Sequence, residues 1–230
     1  MKKYLAEFIG TFALIFCGTG AIIINQETSG VISHAGIAAT FGLIVMCMIY
    51  TFGEISGAQF NPAVTIGFAI SGRFEKKEVL PYIASQITGA FLATLILKFL
   101  FPLNPNLGAT LPAGSPIQSF ILEIILTYLL MLVILNVSQG SKETGLFAGI
   151  AIGRTVLLEA MFAGPICGAS MNPARSLSPA IVSGNISDLW IYIFAPILGV
   201  ILAVFTWKIL KQYQDTEGGV SERYSLNEIA

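Results

Sequence analysis

The stretch GASMNPARSL, residues 168–177, places an Asn, a Pro, an Arg and two Ser within a long apolar part of the chain. A second stretch, GAQFNPAVT at residues 57–65, carries the same Asn-Pro-Ala tripeptide after a Gly-Ala pair. Asn is a strong N-cap residue, and Pro is favoured in the first helical turn. We therefore predict two short helices, at 61–70 and 172–182, each about half a membrane in length.

The composition indicates a membrane protein, because 55% of the residues are apolar and only 11% are charged. Apolar runs of about 20 residues, the length that crosses a hydrocarbon core, occur six times. They lie at 4–24, 35–52, 79–101, 117–137, 145–163 and 189–210. The expected fold class is an all-α membrane protein with six transmembrane helices and two re-entrant half-helices.

Two further motifs indicate an internal repeat. AEFIGTF at 6–12 and LEIILTY at 122–128 each place a Glu four residues before a Thr, at the start of three spans and one half-helix. We expect one membrane channel domain at 1–211, with repeats at about 4–101 and 117–210, and a polar cytoplasmic tail at 212–230. Three spans per copy invert the second copy, so the half-helices meet at the midplane. Irregular backbone at that depth must be buried or line water, which predicts a pore.

The basic residues predict the orientation. If the spans alternate, most of the 12 Lys and Arg residues lie on one side, which is then the cytoplasmic side. They are Lys2, Lys3, Arg73, Lys76, Lys77, Lys142, Lys208, Lys211 and Arg223. Both termini are therefore expected in the cytoplasm.

Two Asn-Pro-Ala boxes at matching places in an inverted repeat, with Arg175 directly after the second box, resemble the aquaporin and aquaglyceroporin family of major intrinsic proteins. The resemblance covers residues 4–210. The phrases ISGAQFNPAVT and AGPICGASMNPARSL are most similar to the branch of nodulin-26-like and related microbial channels. The resemblance implies a passive channel for water and small uncharged solutes in the plasma membrane. It also implies a homotetramer in which each subunit has its own pore.

The residues of the two boxes support this function on physical grounds. Helix N-termini carry about half a positive charge each, and the side-chain amides of Asn61 and Asn172 can donate to the lumen. A water molecule that accepts from both amides has its hydrogens turned away, which interrupts a proton wire while the positive potential repels cations. The box residues that we expect at the pore centre are Asn61, Pro62, Ala63, Asn172, Pro173 and Ala174.

The resemblance also implies an outer selectivity filter formed by Phe41, Ala160, Ala169 and Arg175. Water-selective members usually carry His where this chain has Ala160, so the aperture should be wider and suit glycerol or neutral metalloid acids as well as water. Members specialised for glycerol commonly carry Asp directly after the Arg, whereas this chain has Ser176. The solute therefore stays open between these alternatives.

Glu7 and Glu123 are two of the carboxylates inside predicted spans, where an ionisable residue is first read as functional. The resemblance implies instead that Glu7 and Glu123 support the re-entrant loops by accepting backbone hydrogen bonds. Arg154 fits no role in the family, and we expect it either to pair with Glu159 or Glu123 or to extend to the membrane surface. The single histidine, His34, is expected to be a capping or interface residue.

Other classes of protein fit the sequence less well. A secondary transporter also uses inverted repeats and broken helices, but it needs a site that changes charge or protonation, and the predicted midplane offers two Asn residues. No HExxH, GxSxG, Walker or CxxC pattern indicates an enzyme. We expect no cofactor, no metal site and no nucleic-acid partner. The lipid bilayer, water and small neutral solutes are the expected partners.

Overall fold

The structure, a computed structural model, describes the backbone of residues 1–138 and 142–227 and the side chains of 1–138 and 146–211. Every regular element in these ranges is helical. The α-helices are α1 (Lys2–Glu27), α2 (Ser33–Ser56), α3 (Pro62–Ile70), α4 (Val79–Leu100), α5 (Pro116–Val137), α6 (Lys142–Cys167), α7 (Pro173–Ser183) and α8 (Leu189–Asn227). A short 3₁₀ turn, Lys76–Glu78, precedes α4.

Six of these helices are long and apolar enough to cross a membrane, namely α1, α2, α4, α5, α6 and α8. This confirms the predicted fold class. Each predicted span lies within its helix or extends at most one residue beyond it, but several helices start or end outside the apolar run. The largest difference is in α8, whose helical backbone continues to Asn227 through most of the predicted polar tail. The last part of that tail, 228–230, lies outside the described residues.

The two short helices begin where the sequence predicts. Asn61 and Asn172 have extended backbone and act as N-caps, and a Pro occupies the first position of each helix. Pro fits there because the first N–H groups of a helix have no partner within the helix. Helix α3 ends at Ile70 and α7 ends at Ser183, where Gly184 with φ 84° provides a left-handed C-cap.

The helix contacts have the pattern of a repeat. Helix α1 packs on α4 and on α2, and α5 correspondingly packs on α8 and on α6. The half-helices extend this pattern across the two copies, because α3 contacts α8 while α7 contacts α4. Helices α2 and α6 contact each other extensively, and α3 and α7 also meet.

Matching glycines allow the closest helix approach in each copy. A Cβ atom at Gly89 of α4 would collide with the carbonyl oxygen of Phe8 on α1. The corresponding position in the second copy is Gly199 of α8, where a Cβ atom would lie 2.6 Å from the carbonyl oxygen of Ile124 on α5. Phe8 and Ile124 directly follow the two repeated Glu residues, so the closest packing and the buried carboxylates lie at the same level.

Polarity is distributed as expected for a protein surrounded by lipid with a polar interior. Large apolar side chains face outward, including Phe99 at 84% and Phe205 at 66% exposure. In contrast, Glu7, Gln86 and Glu123 are completely buried. Buried polar groups need hydrogen-bond partners, and the partners of these side chains define the candidate site.

Candidate functional site

A cavity of about 720 Å³ lies between the two copies of the repeat. Its lining includes both half-helix caps, Asn61 and Asn172. It also includes all four predicted filter positions, which are Phe41, Ala160, Ala169 and Arg175. The lining also includes Glu54, Gln59 and Ser138. The structure therefore brings residues from α2, α6 and both re-entrant loops onto one cavity.

Each Asn cap is bonded to its own helix and to the opposite loop. The Oδ1 atom of Asn61 accepts from the Ala63 N–H at 2.9 Å, and the Oδ1 atom of Asn172 accepts from the Ala174 N–H at 3.0 Å. Nδ2 of Asn61 donates to the Met171 carbonyl at 2.8 Å, and Nδ2 of Asn172 donates to the Phe60 carbonyl at 2.9 Å. Since an amide nitrogen carries two hydrogens, one N–H of each Asn remains for the cavity.

The loops that lead into the two caps have the same unusual backbone. Positive φ angles occur at Gly57, Ala58 and Phe60 in the first loop and at Gly168, Ala169 and Met171 in the second. Residues with a Cβ atom adopt this region at a cost. These conformations therefore depend on contacts that hold the loops.

Glu7 provides such contacts for the first loop. Its two carboxylate oxygens accept from the backbone N–H groups of Gln59 and Phe60 at 3.0 and 2.7 Å. They also accept from the Ser56 hydroxyl at 2.6 Å and from the Gln86 amide at 2.8 Å. A carboxylate is suited to this place because it accepts several bonds at once.

Glu123 has the equivalent position in the second copy. It accepts from the backbone N–H groups of Ser170 and Met171 at 2.7 and 2.8 Å. In both copies the two bonded N–H groups belong to the two residues directly before the Asn cap. The two carboxylates therefore hold the two loops in the same way.

Arg175 forms one wall of the cavity. It is 2% exposed, and its Nη1 donates to the Gly108 carbonyl at 2.7 Å. Its guanidinium carbon lies 5.0 Å from the centre of the Phe41 ring, within the range of a cation–π contact. The Gly108 carbonyl uses one of the four Nη hydrogens, so the guanidinium keeps donors for a molecule in the cavity.

Ser176 does not line the cavity, although it directly follows Arg175. Its hydroxyl is fully buried and lies 2.7 Å from the Thr110 hydroxyl and 2.6 Å from the Ser170 hydroxyl. This hydroxyl cluster ties the loop before α5 to the second re-entrant loop. Ser176, which stands where glycerol-specialised members carry Asp, therefore stabilises the second re-entrant loop and does not contact the cavity.

Arg154 pairs with neither carboxylate that the sequence suggested. It is exposed on the outward face of α6, whereas Glu159 is 7% exposed and lies about 140° further around the helix, because five residues separate them. The expected pairing is therefore wrong, and the alternative that Arg154 extends to the membrane surface stays a prediction. His34 contacts α6 and is an interface residue, as expected.

Glu159 is a buried carboxylate for which the sequence indicated no role of its own. Neither of its side-chain oxygens has a hydrogen-bond partner among the described residues. The only available signal was a Glu directly before Ala160 within an apolar span.

Within the described residues, no group of three or more His, Cys, Asp or Glu side chains is placed to bind a metal ion.

Replacement of Glu123 by Leu should lower the folded yield and the melting temperature strongly, because two buried N–H groups lose their acceptor at about 1–3 kcal/mol each. Glu123→Gln keeps one acceptor oxygen and should have a smaller effect. Glu159→Leu is the matched control, since Glu159 has no described partner, and it should be tolerated. The measurement is size-exclusion chromatography of purified protein after heating, and equal behaviour of the Glu123→Leu and Glu159→Leu variants would contradict the supporting role.

Comparison with known proteins gives the family. The sequence model described as "Major intrinsic protein" matches residues 1–207. Aquaporin NIP1-1 of Oryza sativa subsp. japonica is 46% identical over 212 residues, which cover 92% of this chain and 75% of that protein. Aquaporin NIP3-1 of Arabidopsis thaliana is 44% identical over 219 residues, covering 92% of this chain and 68% of that protein.

A solved structure supports the same assignment. The X-ray structure of the aquaglyceroporin from Plasmodium falciparum superimposes with a TM-score of 0.80 at 27% identity, covering 90% of this chain and 94% of that one. The family match extends over both re-entrant loops and all but the end of the last span. This chain therefore belongs to the major intrinsic protein family.

Proposed function

We propose that this chain is a passive channel for water and small uncharged solutes, and that the cavity is its conducting path. The observation that carries the proposal is the lining of one cavity by both Asn caps and by Phe41, Ala160, Ala169 and Arg175. Family membership and the similarity to proteins named aquaporins and an aquaglyceroporin support it.

In this proposal, the groups at the centre of the cavity exclude protons and ions. The N-termini of α3 and α7 both point to the midplane, so their partial positive charges add there. The free N–H groups of Asn61 and Asn172 donate to a passing water oxygen and turn its hydrogens outward. Cations then meet a positive potential, and a continuous proton wire is interrupted. Pro62, Ala63, Pro173 and Ala174 shape the two helix starts.

The outer filter determines the solute. Ala160 and Ala169 have only methyl side chains, so the aperture is bounded by one aromatic wall at Phe41 and one cationic wall at Arg175. A polyol can place its carbon chain against Phe41 while its hydroxyl groups accept from Arg175. Glycerol and neutral metalloid acids are therefore the proposed solutes besides water.

A secondary transporter is the alternative class. Such a protein needs a buried group that changes charge or protonation during its cycle. The carboxylates beside the loops, Glu7 and Glu123, are occupied by backbone N–H donors, and the cavity centre is lined by two neutral amides. These contacts favour the channel. The proposal includes no catalytic step, cofactor or metal.

We further propose a homotetramer in the plasma membrane with both termini in the cytoplasm. Cations lie at one end of the bundle, where Lys208 donates to the Ile70 carbonyl at the end of α3 and Arg73 donates to the Leu135 carbonyl near the end of α5. Basic residues mark the cytoplasmic side. Contact between subunits would also remove the exposed Arg154 from lipid, where a charge is costly.

Flux measurements on purified protein in liposomes test the channel directly. We expect light scattering to show fast, non-saturating water and glycerol flux when the vesicles are challenged in turn with sucrose, glycerol and urea gradients. Empty liposomes are the control. Flux that saturates, or that requires a sodium or proton gradient, would identify a transporter.

The Ala160→His variant should lower glycerol flux more than water flux, because an imidazole fills the space left by the methyl group. Since a steric change of about one methylene in an apolar pocket is worth about 10–200-fold, we expect roughly a tenfold fall in the glycerol-to-water ratio. Both fluxes are measured at equal protein in the same vesicles. Equal loss of both would place Ala160 outside the aperture.

The Arg175→Val variant should admit some monovalent cation or proton leak together with larger neutral solutes, while water flux persists. Arg is protonated at every accessible pH, so it supplies a full charge in addition to the partial charges of the helix ends. Membrane current and an internal pH dye are read beside light scattering. A folded variant that stays sealed to ions and keeps its solute profile would remove Arg175 from the filter.

A further inference from the structure

Helices α2 and α6 carry two facing walls of the proposed filter, Phe41 and Ala160, and their separation sets its width. At the centre of the pair the backbones are in direct contact. A Cβ atom at Gly42 would lie 2.5 Å from the Gly153 carbonyl oxygen, and one at Gly153 would lie 2.7 Å from the Gly42 carbonyl oxygen. The backbones therefore leave no room for adjustment at this level, and a separate contact joins the outer ends of the helices.

His34 makes that contact. Its Nε2 lies 2.7 Å from the carbonyl oxygen of Met161, the residue directly after Ala160. A carbonyl only accepts, so Nε2 must carry the hydrogen and donate. Gly164 leaves space for the ring, because a Cβ atom there would lie 2.9 Å from the imidazole Cε1.

Pro165 explains why the Met161 carbonyl is available. In an α-helix the N–H of residue 165 would bond to the carbonyl of residue 161, but Pro has no N–H. Because this bond is missing, the turn of α6 that follows Ala160 is weakened. This turn leads into the second re-entrant loop, which carries Ala169. Two of the four filter positions thus depend on where the outer end of α6 lies.

We propose that His34 is a positioning residue for the outer filter: its Nε2 bond to the carbonyl freed by Pro165 fixes the outer end of α6 against α2 and so limits the size of the solutes that pass. The inference rests on the proposed function, since it takes Phe41, Ala160 and Ala169 as walls of the aperture. His34 itself touches no solute.

The transport test compares His34→Phe, which lacks a donor, with His34→Gln, whose amide Nε2 can replace the lost donor. We expect His34→Phe to raise the glycerol-to-water flux ratio by about two- to tenfold, the equilibrium equivalent of one hydrogen bond, because the end of α6 moves away from α2. His34→Gln should stay near the wild-type ratio. Thr28→Val is the matched control, since it removes a side-chain bond to the Ile24 carbonyl within a single segment, and it should leave the ratio unchanged.

A second variant tests the route through Pro165. Pro165→Ala restores an N–H that can satisfy the Met161 carbonyl within α6, so the bond from His34 becomes redundant. In this background His34→Phe should change the flux ratio by less than about twofold, below the range expected for a lost hydrogen bond. An undiminished effect would show that the carbonyl is not the route, and the inference would be wrong.

The hydrogen bond can also be observed without transport. His34 is the single histidine of the chain, so protein labelled with ¹⁵N-histidine, with any purification tag removed, gives one imidazole spectrum. We expect a protonated Nε2 in the wild type and exchange between tautomers in Pro165→Ala. A protonated Nδ1 with a bare Nε2 would overturn the bond itself.

The outcomes separate the two proposals. Wild-type liposomes no faster than empty ones would contradict the proposed function, while the imidazole spectrum would still decide whether the bond exists. Conducting wild-type protein together with a folded His34→Phe variant of unchanged or lowered flux ratio would overturn the positioning role alone. Size-exclusion chromatography before reconstitution confirms that each variant is folded.

Discussion

The structure depends on one constraint, which is that irregular backbone at the centre of a membrane must find its hydrogen-bond partners within the protein or in a water-filled cavity. Two loops reach that depth, and both contain residues with positive φ angles. Glu7 and Glu123 accept from the two N–H groups before each cap, and the Asn caps donate to the loop carbonyls. The polar interior of the bundle follows from this requirement.

The same bonds divide the work between the side chains. Because the carboxylates accept from the loops, the Asn oxygens can cap α3 and α7, and one amide hydrogen of each Asn is left for the cavity. The Gly108 carbonyl similarly uses one donor of Arg175 and leaves others. Asn61, Asn172 and Arg175 are thus each held by part of their hydrogen-bonding capacity and present the rest, which preorganises the site.

Much of the fold could be predicted because its signals are local. Apolar runs indicated the six spans, and Asn followed by Pro indicated where α3 and α7 begin. The cross-loop bonds could not be predicted, because they join residues more than one hundred positions apart. The exposure of Arg154 could not be predicted either, because the sequence does not show which face of α6 the neighbouring helices cover. Glu159 gave no local signal of its lack of partners.

The reciprocal Asn bonds also bear on how the chain is made. The carbonyl that pairs with Asn61 lies 110 residues further along the chain. At synthesis rates of about 5–20 residues per second, this delay is roughly 5 to 20 s. During that time Glu7 can already accept from the backbone N–H groups of the first loop. The side-chain amide of Asn61, however, has no protein acceptor yet and must donate to water. The hydrogen bonds of the first copy are therefore complete only after the second copy is inserted, and the centre of the lumen forms at that point.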